Sequence, residues 1–214
     1  KRRTVRRFFG GDRLTVSLPI RDLDGRRAIA EPDFAAAVEL AEFVGIAGVQ
    51  SEFRFVEPDG SVDLTADALV VICGPKTSTV VEEAMATDPD LRFEQDAPDW
   101  VISDLHDQRR YRSPMDHGVP GGDVAYVARS LRRPGTERTF IAIAGIHAAG
   151  SAGAVHYFTN YRNLRQVHRR TSGNRLFSAC IESEFRNDPL RVVDSVLVVL
   201  HVRSAPSACP RMET

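Results

Sequence analysis

Residues 139–156 read TFIAIAGIHAAGSAGAVH. An apolar run, Phe140 to Ile146, gives way to glycine, alanine and serine, with one histidine between them. Continuous apolar runs of this length suit strands buried on both faces, as in parallel sheets. The small-residue loop then leads into a helix expected from Ser151 to about Val167, with Ser151 as its N-cap. This is a strand–loop–helix unit. A second such unit lies upstream. Ala68 to Cys73 is again continuously apolar, Gly74-Pro75-Lys76-Thr77-Ser78-Thr79 follows, and a helix is expected from about Val80 to Ala86.

Working outward, Leu14 to Ile20 reads as a strand and Arg21 to Arg27 as a polar loop. Glu31-Pro32-Asp33 opens a helix, since proline loses nothing at the first helical position and acids favour the positive helix end. Phe34, Ala37, Val38, Ala41 and Val44 recur at helical spacing and are expected to face a sheet. Phe53 to Val56 is a short strand, followed by the turn Glu57-Pro58-Asp59-Gly60. Trp100 to Ser103 and Arg110 to Ser113 suggest a hairpin, and Met115 to Asp123 is a glycine- and proline-rich loop. Asp123 to Arg129, Leu176 to Phe185 and Val192 to Val202 read as further strands. The alternation of strands and helices, with late hairpins, predicts a three-layer, Rossmann-like α/β fold: a mixed sheet with antiparallel additions. Residues 14–203 form the expected single domain, with 97–130 as a hairpin and loop insertion. Residues 1–13, which open on a basic run, read as a linker or arm, and 204–214 as a flexible tail.

Composition narrows the function classes. The net charge of −1 predicts no bulk attraction to nucleic acid or acidic membrane. The three cysteines, Cys73, Cys180 and Cys209, form no CxxC pair, so neither a disulfide framework nor a zinc ribbon is indicated, and a reducing cytoplasm is expected. No apolar run approaches the roughly 20 residues of a bilayer-spanning helix.

Ligands of open α/β sheets bind beyond the carboxyl ends of parallel strands, and both loops lie at such ends. Gly74, Lys76, Thr77 and Ser78 combine a tight turn, a charge, hydroxyls and a helix N-terminus, which together suit an anion. The Walker motif GxxxxGK[ST] is absent, and a structural turn with an ordinary cap is the plainer alternative. Gly145, Gly150 and Gly153 are spaced GxxxxGxxG, longer than the dinucleotide fingerprint. Such small residues admit either a ligand or a closely packed helix. Gly145, His147, Gly150 and Ser151 form the expected opposing wall. His147 is the candidate acid or base. Ala149 to Gly153 also resembles a nucleophile elbow, but the strand ends too early for Ser151 to be one.

Other candidates carry less. Asp104, Asp107, Asp116, His106 and His117 gather around the central hairpin, but no HExxH or EF-hand pattern is present, and no metal is expected. Tyr111, Arg112 and Ser113 either border the crevice or sit on a wet strand face. Arg162, Arg165, His168, Arg169 and Arg170 complement a helix C-terminus. Glu182 and Glu184 alternate on one strand.

The segments LVVICGPKTS (69–78), YRSP (111–114), DVAY (123–126) and FIAIAGIHAAGSAGAVHY (140–157) resemble an uncharacterised actinobacterial α/β domain. That domain is often found C-terminal to a helix-turn-helix DNA-binding module. The resemblance covers roughly residues 65 to 185. It implies a sensory or effector module attached to a bacterial transcription regulator, and it transfers no catalytic residue. The leading expectation is therefore a cytoplasmic, ligand-sensing regulatory domain that binds a nucleotide-like or other anionic small molecule, with homo-oligomerisation open and no cofactor specified. One alternative is a nucleoside- or nucleotide-directed hydrolase or transferase, with His147 partnered by Asp104 or Glu182. The other is a protein-interaction module without a ligand.

Overall fold

The computed structural model describes residues 1–132, 138–172, 176–186 and 189–203. The tail expected at 204–214 lies outside the described residues. Strand β1 (Arg13–Leu18) is followed by a short hairpin, β2 (Arg21–Leu23) and β3 (Arg26–Ala28). The sequence reads this stretch as a loop. Asp24 and Gly25 at its tip both take positive φ, 52° and 77°, the conformation that a two-residue hairpin turn demands.

Helix α2 (Glu31–Ile46) starts where Pro32 and the flanking acids place it. It then leads to β4 (Gln50–Phe55), β5 (Leu69–Ile72), α3 (Thr79–Ala86), β6 (Leu91–Asp96), β7 (Asp99–Asp104) and β8 (Arg110–Arg112). A 3₁₀ turn, Pro114–His117, precedes β9 (Gly122–Leu131) and β10 (Thr139–Gly145). Two helices follow, α4 (Ala148–Thr159) and α5 (Tyr161–Arg170), and then β11 (Leu176–Arg186) and β12 (Arg191–Arg203).

The main sheet has the order β12-β11-β9-β10-β5-β1-β4. Its β4-β1-β5-β10 portion is parallel, and β9, β11 and β12 extend it by antiparallel pairing. The fold is thus mixed α/β. Alternate residues of the buried strands feed two apolar clusters. Val70 and Ile72 join side chains of α2, α4 and α5, whereas Leu69 and Val71 join α3 and the small sheet β6-β7-β8. The hairpin expected at Trp100 to Ser113 is the β7–β8 pair. Its sheet begins earlier, at Leu91, while β9 belongs to the main sheet.

Three local expectations are corrected. Residues 2–9, read as part of an arm, form helix α1 (Arg2–Phe9), which buries Val5, Phe8 and Phe9. Phe8 stacks on Phe158 at 5.6 Å, and the buried Arg129 guanidinium lies 4.8 Å from its ring while donating to the Phe8 carbonyl. Burial pushes that guanidinium down to about 10. Helix α2 turns Asp33, Ala36, Ala37, Leu40 and Val44 inward and leaves Phe34 half exposed, a rotation of the expected face. The helix expected from Ser151 to Val167 starts three residues earlier and is two helices. Asn160 takes an extended conformation between them, and its side chain accepts from Arg162 N at 3.0 Å. Among the described residues, no helix is long and apolar enough to cross a membrane.

Candidate functional site

The β1-to-β4 connection leaves the sheet on one side and the β5-to-β10 progression on the other, so the carboxyl ends of β1 and β5 part at a switch point. The two strand–loop–helix junctions lie side by side there. Ile141 and Ile143 of β10 pair with Val70 and Ile72 of β5, and Cys73 N donates to Ile143 O at 3.0 Å. A crevice of 440 Å³ opens between them, walled by Arg21, Asp33, Gly74, Lys76, Thr77 and His147. Gly145 and Ser151 also reach it.

At the β5–α3 junction, Lys76 and Thr77 are exposed at the crevice mouth. The Lys76 ammonium sits 4.6 Å from the centre of the Trp100 ring, so β7 helps to aim it. Partial burial pulls its pKa down, opposed by the charge of Asp116. Ser78, expected among the anion ligands, is fully buried. Its hydroxyl donates to Gly60 O at 3.1 Å and accepts from Val81 N at 3.4 Å, so it caps α3 and ties down the preceding turn. Cys73 is buried beside the crevice, and burial pushes its thiol up to about 12, which disfavours the thiolate form.

The β10–α4 junction uses its small residues for packing. A Cβ on Gly145 would fall on the His147 carbonyl and the Ser151 amide. One on Gly150 would come within 2.6 Å of Val124 O and 2.7 Å of Asp123 Oδ2, and one on Gly153 would strike the Ser183 hydroxyl. Gly150 therefore seats α4 on β9 and lies outside the crevice. Ser151 lies within α4, whose N-cap is His147, and its hydroxyl accepts from Gly145 N at 2.9 Å. The N-terminus of α4 already holds an anion of the chain itself. Asp123 Oδ2 accepts from His147 N at 3.0 Å and from Gly150 N at 2.6 Å. Burial raises this carboxyl, and the hydrogen bonds and the nearby His147 act against that rise.

His147 projects from the end of β10, and its Nε2 lies 2.8 Å from Asp116 Oδ1 in the 3₁₀ turn. The imidazole is over a third exposed, so a ligand can reach it. Asp33 faces the crevice from the first turn of α2. It is 4% exposed, and burial raises its carboxyl to about 6, with Arg21 pulling the other way. The crevice thus offers cations at Arg21 and Lys76, a carboxyl at Asp33, and a His147–Asp116 pair at one rim. Arg21 and Asp33 were missed in the sequence. The acid at the α2 N-terminus was visible there, but only as a favourable helix start.

The remaining candidates scatter. Glu182 and Glu184 line a separate groove of 730 Å³ further along the same end of the sheet, bordered by Pro114, Val119 and Val196. That groove is larger, but His147 and Lys76 do not line it, and part of its lining is the exposed Val193 and Val196 of β12. Asp104 pairs with His201, and Arg112 with Asp96 and Asp99. Tyr111 is buried in the small sheet, and Ser113 caps the 3₁₀ turn. His117 follows Asp116 in that turn and is exposed, and Asp107 accepts from Arg109 N in the β7–β8 loop. Arg162, Arg165 and Arg169 are exposed on α5, where His168 instead packs on Phe8 and Arg170 donates to Leu200 O.

Comparison with known proteins found no matching family model, no matching curated protein and no matching solved structure.

Proposed function

We propose that the chain is a ligand-sensing regulatory domain of Rossmann-like, three-layer architecture, and that its crevice binds a nucleotide-like anionic small molecule. One observation carries the reading: Lys76 and Thr77 of one junction and His147 of the other line the same crevice as Arg21 and the buried Asp33. The mixed polarity matters. A bare phosphate is matched by Arg21 and Lys76 but leaves Asp33 facing an anion. A nucleotide-like ligand brings phosphate to the cations and an N–H or O–H donor to Asp33. Such a donor relieves the cost of a buried, weakly partnered carboxyl. The cation–π contact of Lys76 with Trp100 and the His147–Asp116 contact both tie crevice residues to neighbouring elements. Occupancy would therefore be transmitted to the small sheet and the 3₁₀ turn, as a sensor requires.

The His147–Asp116 distance of 2.8 Å favours a second reading, a nucleoside- or nucleotide-directed hydrolase or transferase. A carboxylate on one ring nitrogen fixes the tautomer and leaves the other nitrogen to move a proton. The partner is Asp116, in place of the expected Asp104 or Glu182.

A thermal-shift screen of nucleotides, dinucleotides and phosphorylated metabolites, repeated on Lys76→Ala and His147→Ala, tests both readings. The expected result is a compound that stabilises the parent chain and loses at least about tenfold in affinity with Lys76→Ala, the change produced by removing about 1.4 kcal/mol of binding. Product analysis with that compound separates the two: unchanged ligand supports the sensor, and turnover abolished by Asp116→Asn supports the enzyme. No shift across the panel overturns both and favours the interaction-module alternative.

A further inference from the structure

Away from the crevice, the small sheet meets the main sheet at a cluster of two histidines and three aspartates. Asp88 and Asp90 precede β6, Asp104 ends β7, His106 follows it, and His201 lies on β12. Asp88 is saturated. Its carboxylate accepts from Tyr126 Oη at 2.6 Å, from Arg203 at 2.8 Å, from Ser178 Oγ at 3.2 Å, and from the Asp90 and Leu91 amides. Arg203 donates its hydrogen bond to Asp88 and is also ion-paired with Asp90.

Asp90 differs. Its side chain is only 10% exposed, its Oδ1 lies 2.8 Å from His106 Nε2, and its Oδ2 has no hydrogen-bond partner among the described residues. Arg203 Nε is 3.3 Å from that oxygen without hydrogen-bond geometry. Asp104, 3% exposed, faces His201 Nε2 at 2.9 Å and also accepts from His106 N at 2.9 Å. The two imidazole rings stack at 4.5 Å. One ligand atom from each of Asp90, His106 and His201 lies within 4.8 Å of the others.

We infer that Asp90, His106 and His201 bind a divalent transition-metal ion, with Asp104 as the carboxylate that orients His201. The donor set is two imidazoles and one carboxylate, the borderline-soft combination that Zn²⁺ and its neighbours favour, and it leaves a coordination position open. A carboxylate hydrogen-bonded to one nitrogen of a ligating histidine is the usual outer support of such sites. Charge agrees. Three buried carboxylates, Asp88, Asp90 and Asp104, share the one guanidinium of Arg203, which pairs with both Asp88 and Asp90, and a dication beside the two rings neutralises the excess. Two stacked imidazolium ions would do so only against their mutual repulsion. His106, 58% exposed, gives the ion its way in. The bound metal would clip the small sheet to β12, joining segments about a hundred residues apart in the chain.

The test titrates the tag-free, EDTA-dialysed chain with Zn²⁺ in a calorimeter and follows its thermal unfolding. One equivalent should bind and raise Tm. His106→Ala should weaken binding at least about tenfold and cancel the rise in Tm, and Asp104→Asn should weaken binding about 10- to 100-fold. In EDTA, His106→Ala loses the hydrogen bond to Asp90 and should melt somewhat below the parent chain, so the readout is each chain's own change in Tm on adding Zn²⁺. His156→Ala, a histidine paired with Glu39 elsewhere on the surface, should bind as the parent does. Absence of binding overturns the inference. So does Zn²⁺ affinity that survives His106→Ala, or that His156→Ala removes instead.

Discussion

The two strand–loop–helix junctions look alike as strings of residues and behave differently as structure. At β5–α3, the glycine faces space. A Cβ on Gly74 would come no nearer than 4.0 Å to the Gly145 carbonyl, and the polar side chains beside it stand at the crevice. At β10–α4, the glycines face matter. Gly145, Gly150 and Gly153 each lie against the chain's own backbone or a serine of β11, and Asp123 takes the amides that a ligand would want. A glycine-rich loop at the end of a strand is thus ambiguous until its neighbours are known. The richer one here serves the seating of a helix, and the plainer one borders the crevice. Only His147 at the richer junction is both chemically capable and reachable.

The largest expected effect separates these roles. Gly145→Ala forces a methyl into backbone that belongs to its own loop and to α4, and it should cost about 3 kcal/mol or more by urea denaturation. Gly74→Ala, at a position where neither φ nor space forbids a methyl, should stay within about 0.5 kcal/mol. Equal losses from the two would abolish the distinction between a packing junction and an open one.

How far the sequence reached follows the same line. Local chemistry was legible: the two buried strands, the proline start of α2, and the exposure of Lys76 and Thr77. The convergence of the two loops depended on whether their strands were neighbours, which the sequence left open and the β5–β10 pairing decides. What could not be read depends on residues far along the chain. Ser183 of β11 decides that Gly153 is packed, and Val124 and Asp123 of β9 decide the same for Gly150. Asp116 reaches His147 across 31 residues, and Asp104 reaches His201 across 97. Ser151 was misplaced for a local reason. His147, extended at φ −118° and ψ 172°, starts the helix without a side-chain cap, so no cap residue marks the true beginning.

A second prediction tests the crevice wall at Asp33. Its folded carboxyl titrates near 6 against an ordinary 3.8, because burial disfavours the charge. Between those values the folded chain holds a proton that the unfolded chain has released. Stability contributed by protonated Asp33 is therefore complete below about pH 3.8 and is lost as pH rises through about 6, by roughly 3 kcal/mol at most. Asp33→Asn keeps the shape without the charge. Relative to the parent it should gain stability across that window and hold the gain at pH 7 to 8, as read from urea melts at pH 4, 6 and 8. A ligand that donates to Asp33 should narrow the difference. A gap between the two chains that does not change with pH would show that Asp33 is solvated and that the crevice lacks the polarity assigned to it.

The smallest effect sharpens the β5–α3 junction itself, where Ser78 and Thr77 are adjacent and were expected to act together. Ser78 is buried and bonded twice within the chain, to the Gly60 carbonyl and the Val81 amide, while Thr77 opens to the crevice. Ser78→Ala removes a helix cap and should cost about 1 kcal/mol, the usual value of such a cap. Ligand affinity, measured on the fully folded variant, should be unchanged, because no atom of Ser78 is left to bind with. Thr77→Val should do the reverse: little loss of stability, since the side chain is exposed, and a measurable loss of affinity for any ligand that takes a hydrogen bond there. If Ser78→Ala weakened binding at constant stability, the α3 N-terminus would be part of the ligand site. The two junctions would then differ in degree, with the β5–α3 loop a working anion cradle and the β10–α4 loop one filled by Asp123.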